Sequence, residues 1–256
     1  MATLSKNTVT TQGQSAARKQ LVYEIISGAS GLALALFMWG HLVLVGSILL
    51  GTRGFDWMAT MLERFYIAQP TVIAVVVLFL MHALFAARKI PAQLRERREL
   101  RDLAVALRKS GRGWPEVTGA PKFAPHVESM LWIWQVRTGM LILVLGSFHL
   151  VLLGLDVFTP LFGERIGIEA ATTLERVGGG LWPLYAVLLL CVEFHASVGL
   201  YRLAIKWGVG ARLGRTTLHR IERVLFWFVL MLGVVTLVVL AGWLEPPLAF
   251  VLGDSP

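Results

Sequence analysis

The sequence has one cysteine among 256 residues, and only 16% of its residues are charged. A soluble domain of this length would carry about 25% charged residues. The single cysteine, Cys191, lies within an apolar run, which excludes a disulfide framework and a thiolate metal cluster and favours a packing role. The sequence also lacks a nucleotide-binding glycine loop, a cysteine-pair metal motif and a nucleophile elbow. We therefore expect any soluble chemistry that this protein serves to reside on another chain.

Long apolar runs dominate what is present, with 56% hydrophobic residues and a mean hydropathy of +0.67. A helix needs about 20 apolar residues to cross a bilayer, and lipid forces an isolated span to satisfy its backbone internally. The sequence therefore predicts a single all-α membrane domain over residues 1–256. Its five transmembrane helices, called spans one to five, are expected at about 25–50, 70–90, 128–153, 180–205 and 221–244.

The net charge of +8 is distributed as a topology signal and not as a nucleic-acid surface. Lys and Arg number 10 in 88–127 and 6 in 202–223, against 2 in 51–69 and none after Arg223. The positive-inside rule places the N-terminus and the 91–127 loop in the cytoplasm and the C-terminus outside. The first 20 residues are polar, so no cleaved signal peptide is expected.

The long second loop contains the only sizeable segment outside the spans. Its basic sequence over 89–114 predicts that span two continues into a charged cytoplasmic helix, closed by Gly111 and Gly113. Two interpretations stay open. The helix is a face exposed to solvent or lipid headgroups, or it is a docking surface for a soluble partner.

Four of the six histidines lie within spans, one in each of spans one to four. They are His41, His82, His149 and His195. A single membrane histidine is commonly explained by a hydrogen bond to a neighbouring helix. One histidine in each of four helices instead favours a shared role.

Depth along the helices predicts how these histidines pair. At 1.5 Å per residue, His82 lies about 9 Å from the cytoplasmic margin at Arg88, and His195 lies at a similar height above Arg202. His41 lies roughly 24 Å beyond the inner margin, and His149 precedes Asp156 on the same outer side. The expected pairs are His41 with His149 near the outer side and His82 with His195 near the inner side.

Two imidazoles in a dry helix bundle suit a metal with two axial nitrogen ligands, and haem iron is the usual one. Zinc would need three or four ligands at each level. Small residues near the histidines would leave room for a flat macrocycle, although they also serve ordinary helix packing. They are Gly40 and Gly46 beside His41, Gly139 and Gly146 before His149, and Ala196 and Gly199 after His195.

An internal sequence repeat supports this pairing of the histidines. "WGHLVLVGS" in span one resembles "GSFHLVLLG" in span three, and "HALFAARKI" in span two resembles "HASVGLYRLAIK" in span four. Spans one and two therefore look like one copy of a hairpin that spans three and four repeat. With both axial positions of each iron taken by histidine, electron transfer across the bilayer is the expected function. Span five has no histidine and is expected only to pack against the bundle.

Three segments carry a family resemblance: "FMWGHLVLVGSILLG", "GSFHLVLL" and above all "VEFHASVGLYRLAIKWG". They resemble the dihaem cytochrome b subunit of menaquinol:fumarate reductases and related succinate dehydrogenases, over nearly the whole chain. The resemblance implies five helices whose first four hold two haem b groups through the four histidines. It also implies a multi-pass protein of the bacterial cytoplasmic membrane that uses menaquinone or menaquinol.

The resemblance further implies two partner proteins on the cytoplasmic face: a flavoprotein with the dicarboxylate site and an iron–sulfur subunit. A dimer of such heterotrimers is left open. The chain itself would be the membrane anchor and electron-transfer subunit of an oxidoreductase complex.

Two acidic residues acquire roles from the resemblance. Glu63 matches a quinol-site glutamate and lies in "GFDWMATMLERFY", an amphipathic outer segment that places Asp56, Thr60 and Glu63 on one helical face. A carboxylate there could accept protons from a quinol, and an ordinary surface acid is the alternative. Glu193 lies deep in span four, where acids are costly. The family assigns this position to a proton path, and a structural hydrogen bond is the alternative.

Haem propionates need basic or hydroxyl neighbours near the inner margin. The resemblance assigns Lys206 and Trp132 to this region, together with Arg202 and with Ser27, which replaces a bulkier amide of the family. Arg137 is a cation within a span, and its presence departs from the family pattern. The sequence leaves open whether Arg137 pairs with a propionate or with Glu193.

Three alternatives remain at this point. The complex could run in the succinate:quinone reductase direction. The chain could anchor a different dehydrogenase or hydrogenase through the same two haems. It could also be a haem-free transporter or assembly protein that uses its histidines as polar contacts between helices.

Overall fold

The computed structural model describes residues 2–109, 127–158 and 169–252. Within these ranges the chain is helical. The helices are α1 (Ala2–Gly46), α2 (Thr52–Arg64), α3 (Ala68–Ala87), α4 (Ile90–Lys109), α5 (Val127–Phe158), α6 (Ala170–Arg176), α7 (Trp182–Lys206), α8 (Val209–Leu213) and α9 (Arg215–Leu240). Short helical turns cover Ser47–Leu50, Val177–Leu181 and Ala249–Leu252.

Among the described residues, five helices are long and apolar enough to cross a membrane, which confirms the predicted all-α membrane fold. Helices α1, α3, α5, α7 and α9 correspond to spans one to five. The largest boundary difference is at α1, which extends from the apolar span back to Ala2. Its polar N-terminal part contains no proline and several good helix formers, so the helix continues beyond the apolar run.

The five spans pack as two hairpins joined through α7. Helix α1 packs along α3, α5 packs along α7, and α9 packs on the other side of α7. Helix α7 also contacts α1, so the two hairpins meet there. Span five packs mainly along α7 and also contacts α1.

The end of the bundle that the topology prediction places outside is closed by a small apolar cluster. Phe55 and Ala59 of the amphipathic helix α2 pack against Ile48, Ala170 and Val177. Helix α2 confirms the amphipathic segment that the sequence predicts. Helix α6 was not predicted, because its seven residues are too short to show a periodic pattern.

Two polar contacts hold α6 in this cluster. The Asp56 carboxylate accepts a 2.7 Å hydrogen bond from the backbone N–H of Ala170, at the first residue of α6. Arg176 at the end of α6 donates to Asp156 of α5 at 3.3 Å, and both side chains are buried. Buried charges need such a partner, since an isolated one would be strongly destabilising.

Helix α7 begins after a sharp change of direction at Gly180. This residue has φ +117°, a backbone conformation that L side chains rarely adopt and that glycine tolerates. Pro183 lies in the first turn of α7, where its missing N–H costs no helical hydrogen bond. Span four therefore starts near residue 181, with α6 as a separate outer element.

The predicted cytoplasmic helix is present as α4, but a turn at 88–89 separates it from α3. The basic residues begin at this turn, so the change from apolar to charged sequence coincides with the end of the span. Gly111 and Gly113, which were expected to close the helix, lie outside the described residues.

The contact between α7 and α9 provides a test of the packing. A Cβ atom at Gly233 of α9 would lie 2.5 Å from Leu189 Cδ1 of α7. We expect Gly233→Leu to destabilise the protein by about 1–3 kcal/mol, as overpacking typically does. Thermal unfolding of the purified protein in detergent would measure the loss. Gly154→Leu is the control, because a Cβ atom at Gly154 meets no atom within 4 Å. Equal stability of the two variants would contradict the packing.

Candidate functional site

The inner histidines lie close together between the two hairpins. His82 of α3 and His195 of α7 have ring centroids 6.1 Å apart and ring planes at 89°. Both side chains are half-buried. The structure therefore brings together the two residues that depth along the helices pairs at the inner side.

Each of these imidazoles lies against a glycine of the other helix in its hairpin. A Cβ atom at Gly31 of α1 would lie 2.8 Å from Cε1 of His82. A Cβ atom at Gly139 of α5 would lie 2.8 Å from Cε1 of His195. Real Cβ atoms do not approach this closely, so each ring occupies space that only a glycine leaves free.

The same helices fix the orientation of the rings through a backbone carbonyl. His82 Nδ1 lies 3.1 Å from the carbonyl oxygen of Ser27, and His195 Nδ1 lies 2.9 Å from that of Gln135. Each carbonyl belongs to the residue four positions before the glycine. A proton on Nδ1 donates to the carbonyl, and this tautomer leaves the Nε2 lone pair available to a metal.

This geometry fits a metal ion held between two axial imidazoles. Two ring nitrogens, each about 2 Å from one metal ion on opposite sides, would place the ring centroids about 6 Å apart. The observed separation is 6.1 Å. Among the described residues, no three His, Cys, Asp or Glu side chains converge as a metal site. The residues present therefore fit haem iron, whose macrocycle supplies the other four ligands.

The outer histidines have a different environment. His149 Nδ1 lies 3.3 Å from the Tyr185 hydroxyl of α7. His41 stacks on Phe37, one turn earlier in α1, with ring centroids 5.7 Å apart. The Nδ1 atom of His149 thus faces a side-chain hydroxyl, whereas the Nδ1 atom of each inner histidine faces a backbone carbonyl.

The small residues expected around the outer histidines have other neighbours. Gly139 faces the inner His195, because it lies ten residues before His149 on the same helix. Gly46 faces Thr236 of α9, and Gly40 faces no atom within 4 Å. Gly31 was missed from the sequence. It precedes His41 by ten residues, just as Gly139 precedes His149 by ten residues in the repeated hairpin. Aligning the two hairpins would have identified it.

Glu193 is buried in α7, with 8% of its surface exposed. Its Oε1 accepts a 3.2 Å hydrogen bond from the Ser197 hydroxyl, one turn further along the helix. The sequence leaves open whether Arg137 pairs with Glu193 or with a haem propionate. Its guanidinium lies over the Trp134 ring, 5.3 Å from the centroid, and the Arg137 side chain is exposed.

Glu63 is exposed in the last turn of α2, at the end of the bundle opposite the basic residues. The helix ends at the next residue, Arg64, and Tyr66 in the following turn has φ +55°. Of the three polar residues predicted to share this face, Thr60 is also exposed. Asp56 is used structurally, since its carboxylate caps α6. Glu63 is therefore an accessible carboxylate on a fixed helix.

The residues assigned to the inner margin are spread over three spans. Ser27 contributes its carbonyl to His82, and Trp132 is buried. Arg202 donates to the side-chain oxygen of Gln135 at 2.8 Å. Lys206 forms a salt bridge with Glu24.

Glu24 was not singled out from the sequence, because nothing there marks its partners. Its carboxylate also pairs with Lys89 at 2.6 Å, so it connects spans one and four with the turn that follows span two. All three residues lie at the basic end of the bundle, within a few turns of the inner histidines.

Comparison with known proteins identifies the family of the chain. The family model described as succinate dehydrogenase/fumarate reductase transmembrane subunit matches residues 119–241. The fumarate reductase cytochrome b subunit of Wolinella succinogenes is 32% identical over 220 residues, covering 81% of this chain and 77% of the relative. The corresponding subunit of Helicobacter pylori strain J99 is 30% identical over 221 residues, covering 83% and 77%. The chain therefore belongs to the family of succinate dehydrogenase and fumarate reductase transmembrane subunits.

Proposed function

We propose that the chain holds two haem b groups and carries electrons through the membrane between menaquinol at the outer side and a cytoplasmic flavoprotein and iron–sulfur pair. His82 and His195 hold the inner haem, and His41 and His149 hold the outer one. The observation that carries the proposal is the inner pair. Its centroid separation of 6.1 Å and its two Nδ1–carbonyl contacts suit axial ligation.

When bound, the haems supply reversible one-electron chemistry at two depths in the membrane. The chain's own residues hold them, orient their imidazole ligands and exclude bulk water by packing. With histidine on both faces, no iron position stays open for substrate, so the dicarboxylate reaction belongs to a partner. This role agrees with the cytochrome b names of the relatives.

The protons of the quinol need an acceptor on the outer side. Glu63 is exposed on α2 and could take a proton from a quinol hydroxyl as a general base. Electrons moving inward oppose a membrane potential that is negative inside, by about 2.3 kcal/mol per charge per 100 mV. Protons moving inward through the buried Glu193 would compensate this charge.

The cytoplasmic end of the chain suits the inner haem's propionates and the partner subunits. In the proposed complex, this end is surrounded by Lys206, Arg202, Trp132 and the region of Ser27. Glu24 carries one negative charge between Lys206 and Lys89 and keeps both lysines at the helix ends. The basic helix α4 presents a surface on which an iron–sulfur subunit could dock. The site of assembly is the bacterial cytoplasmic membrane.

The same residues would also serve electron flow from succinate to quinone, which is the second candidate direction. The printed names of the relatives favour fumarate reduction. A dihaem anchor of another dehydrogenase or hydrogenase would show different co-purifying subunits.

The proposal predicts two haem b per chain. Replacing His41 or His149 with Ala should remove the outer haem and leave the inner one, because the two ligand sets are separate. Pyridine haemochrome assay and redox titration of the purified complex would measure both. His126→Ala is the control, since the sequence places His126 at a loop margin. One haem or none in the unaltered protein would contradict the pairing.

The glycine contacts predict selective loss of the inner haem. Gly31→Val should displace the His82 ring, because even a Cβ atom would lie 2.8 Å from it. We expect inner-haem occupancy to fall severalfold while the outer haem's spectral signal persists. Gly154→Val is the matched control, as its Cβ meets open space. Full inner-haem occupancy in Gly31→Val would show that the His82 ring can shift away from residue 31 and still act as a ligand.

Glu63 gives a prediction about the quinol reaction. Glu63→Gln keeps the size of the side chain but removes its proton acceptor, so menaquinol oxidation should fall by about 10²-fold or more. Both haems should remain, and a dye that reduces the soluble subunits directly should still support fumarate reduction. Glu175→Gln, an exposed carboxylate on α6, is the control. A normal menaquinol rate in Glu63→Gln would make Glu63 an ordinary surface acid.

A further inference from the structure

Arg137 is the only Lys or Arg in α5, and it lies on the side of this helix that faces away from the bundle. Gly139, two residues further along α5, faces His195 of α7. Two residues turn a helix by about 200°, so the Arg137 side chain leaves α5 on the opposite side. This side chain is exposed. A partner for Arg137 therefore comes from outside the bundle, and not from Glu193 or from a ligand between the hairpins.

The rest of this face of α5 is apolar and exposed. Among the described helices, α5 packs closely only along α7, on the other side. Apolar side chains recur at intervals of three or four residues along the face that carries Arg137, as one side of a helix requires. They include Met130, Trp134, Met140, Leu141 and Val144. In a membrane-spanning helix, such a face meets lipid tails, which are as apolar as these side chains.

Arg137 has no carboxylate partner in the described part of the chain. Its guanidinium contacts the Trp134 ring, 5.3 Å from the centroid. Helix α5 itself carries two acids. Glu128 precedes Arg137 by nine residues, which places it about 180° around the helix, and Asp156 pairs with Arg176. A cation that faces lipid without a counter-ion is costly, so the face calls for an anion from the lipid phase.

The depth of Arg137 suits the headgroup region of one leaflet. Arg202 donates to the Gln135 side chain, so α5 begins at the basic end of the bundle. Arg137 lies about 10 Å along the axis from Met130, where the apolar span begins. Helical side chains tilt towards the N-terminus of their helix, and the contact with Trp134, one turn earlier, follows this direction. The long side chain therefore carries its charge towards the headgroups at the basic end.

We propose that Arg137 and Trp134 form a binding site for the phosphate of an anionic phospholipid in the leaflet at the basic end of the bundle. The guanidinium presents a planar fork of donors, which matches two oxygens of a phosphate. The Trp134 ring holds the guanidinium through a cation–π contact. The acyl chains lie along the apolar residues that follow Arg137 on the same face. The site goes beyond the proposed function, because it requires neither haem nor quinol.

A second copy of the chain would fit this face less well than a lipid. Two copies inserted in the same direction are related by an axis along the membrane normal, so equivalent residues meet at the same depth. Their Arg137 guanidinium groups would then face one another across an apolar interface, where like charges repel strongly. A lipid phosphate instead supplies the opposite charge at the level that the side chain reaches.

The test uses the purified full-length chain in detergent, stripped of lipid and titrated with phosphatidylglycerol or with phosphatidylcholine. Native mass spectrometry measures the affinity for the first bound lipid. We expect phosphatidylglycerol to bind about tenfold more tightly, because the ammonium group of phosphatidylcholine repels the guanidinium. Arg137→Gln should weaken phosphatidylglycerol binding by about tenfold or more, as loss of a hydrogen-bonded charge does. Arg137→Lys should recover part of the affinity, since it keeps the charge but not the fork.

Arg220→Gln is the matched control, because it removes one exposed cation near the start of α9 and should leave the affinity for the first lipid unchanged. Inorganic phosphate should not displace phosphatidylglycerol, since it has no acyl chains to lie on the apolar face. Displacement by inorganic phosphate would assign the site to a free anion and overturn the lipid proposal.

Three further outcomes would contradict the site. One is equal affinity of the unaltered chain for the two lipids, and another is unchanged phosphatidylglycerol affinity in Arg137→Gln. The third is a dimer that Arg137→Gln dissociates, which would assign this face to a second copy. If Arg137→Gln does not fold, thermal unfolding of the unaltered chain decides. A ligand of the native state raises the unfolding temperature, so phosphatidylglycerol must raise it more than phosphatidylcholine, and an equal rise overturns the proposal.

Discussion

At Gly31 and Gly139, an imidazole from the neighbouring helix lies where any other residue would place its Cβ atom. This contact brings the two helices of each hairpin close together and lets the ring bond a carbonyl one turn earlier. Lipid provides no hydrophobic force between helices, so close approach at small residues and hydrogen bonds between helices stabilise the pair. The hairpin packing and the ring orientation thus arise from the same glycine.

The position of the inner imidazoles follows from this contact in both hairpins. Each ring is fixed at one nitrogen by a carbonyl, so the other nitrogen points in a set direction. Two such rings meet with centroids 6.1 Å apart. Side-chain rotation alone cannot change this separation without breaking a hydrogen bond. A ligand between the rings therefore finds them prearranged, which lowers the entropic cost of holding it.

The sequence predicted the features that depend on composition and spacing along one helix. The five spans, the amphipathic α2 and the grouping of His82 with His195 are of this kind. Features that depend on a contact between distant segments were missed, such as the Glu24 pairings and the capping of α6 by Asp56. Helix ends were also missed, because α1 continues through polar residues that a hydropathy criterion excludes. The sequence shows which small residues lie near the histidines along each helix. It does not show which neighbouring helix each of these small residues faces.

The two hairpins also differ in their contact with α9, which packs along α7 of the second hairpin and touches only the end of α1 in the first. Each hairpin carries one outer and one inner histidine, with its first helix entering from the same side in the predicted topology. Two identical hairpins related by an axis along the membrane normal would complete both imidazole pairs. Helix α9 packs on α7, and among the described residues no helix packs in the same way along α3. The fifth helix therefore breaks a twofold arrangement of the described spans, so a protein that bound at the basic end of the bundle would meet two unlike halves and would have a single orientation in which to bind.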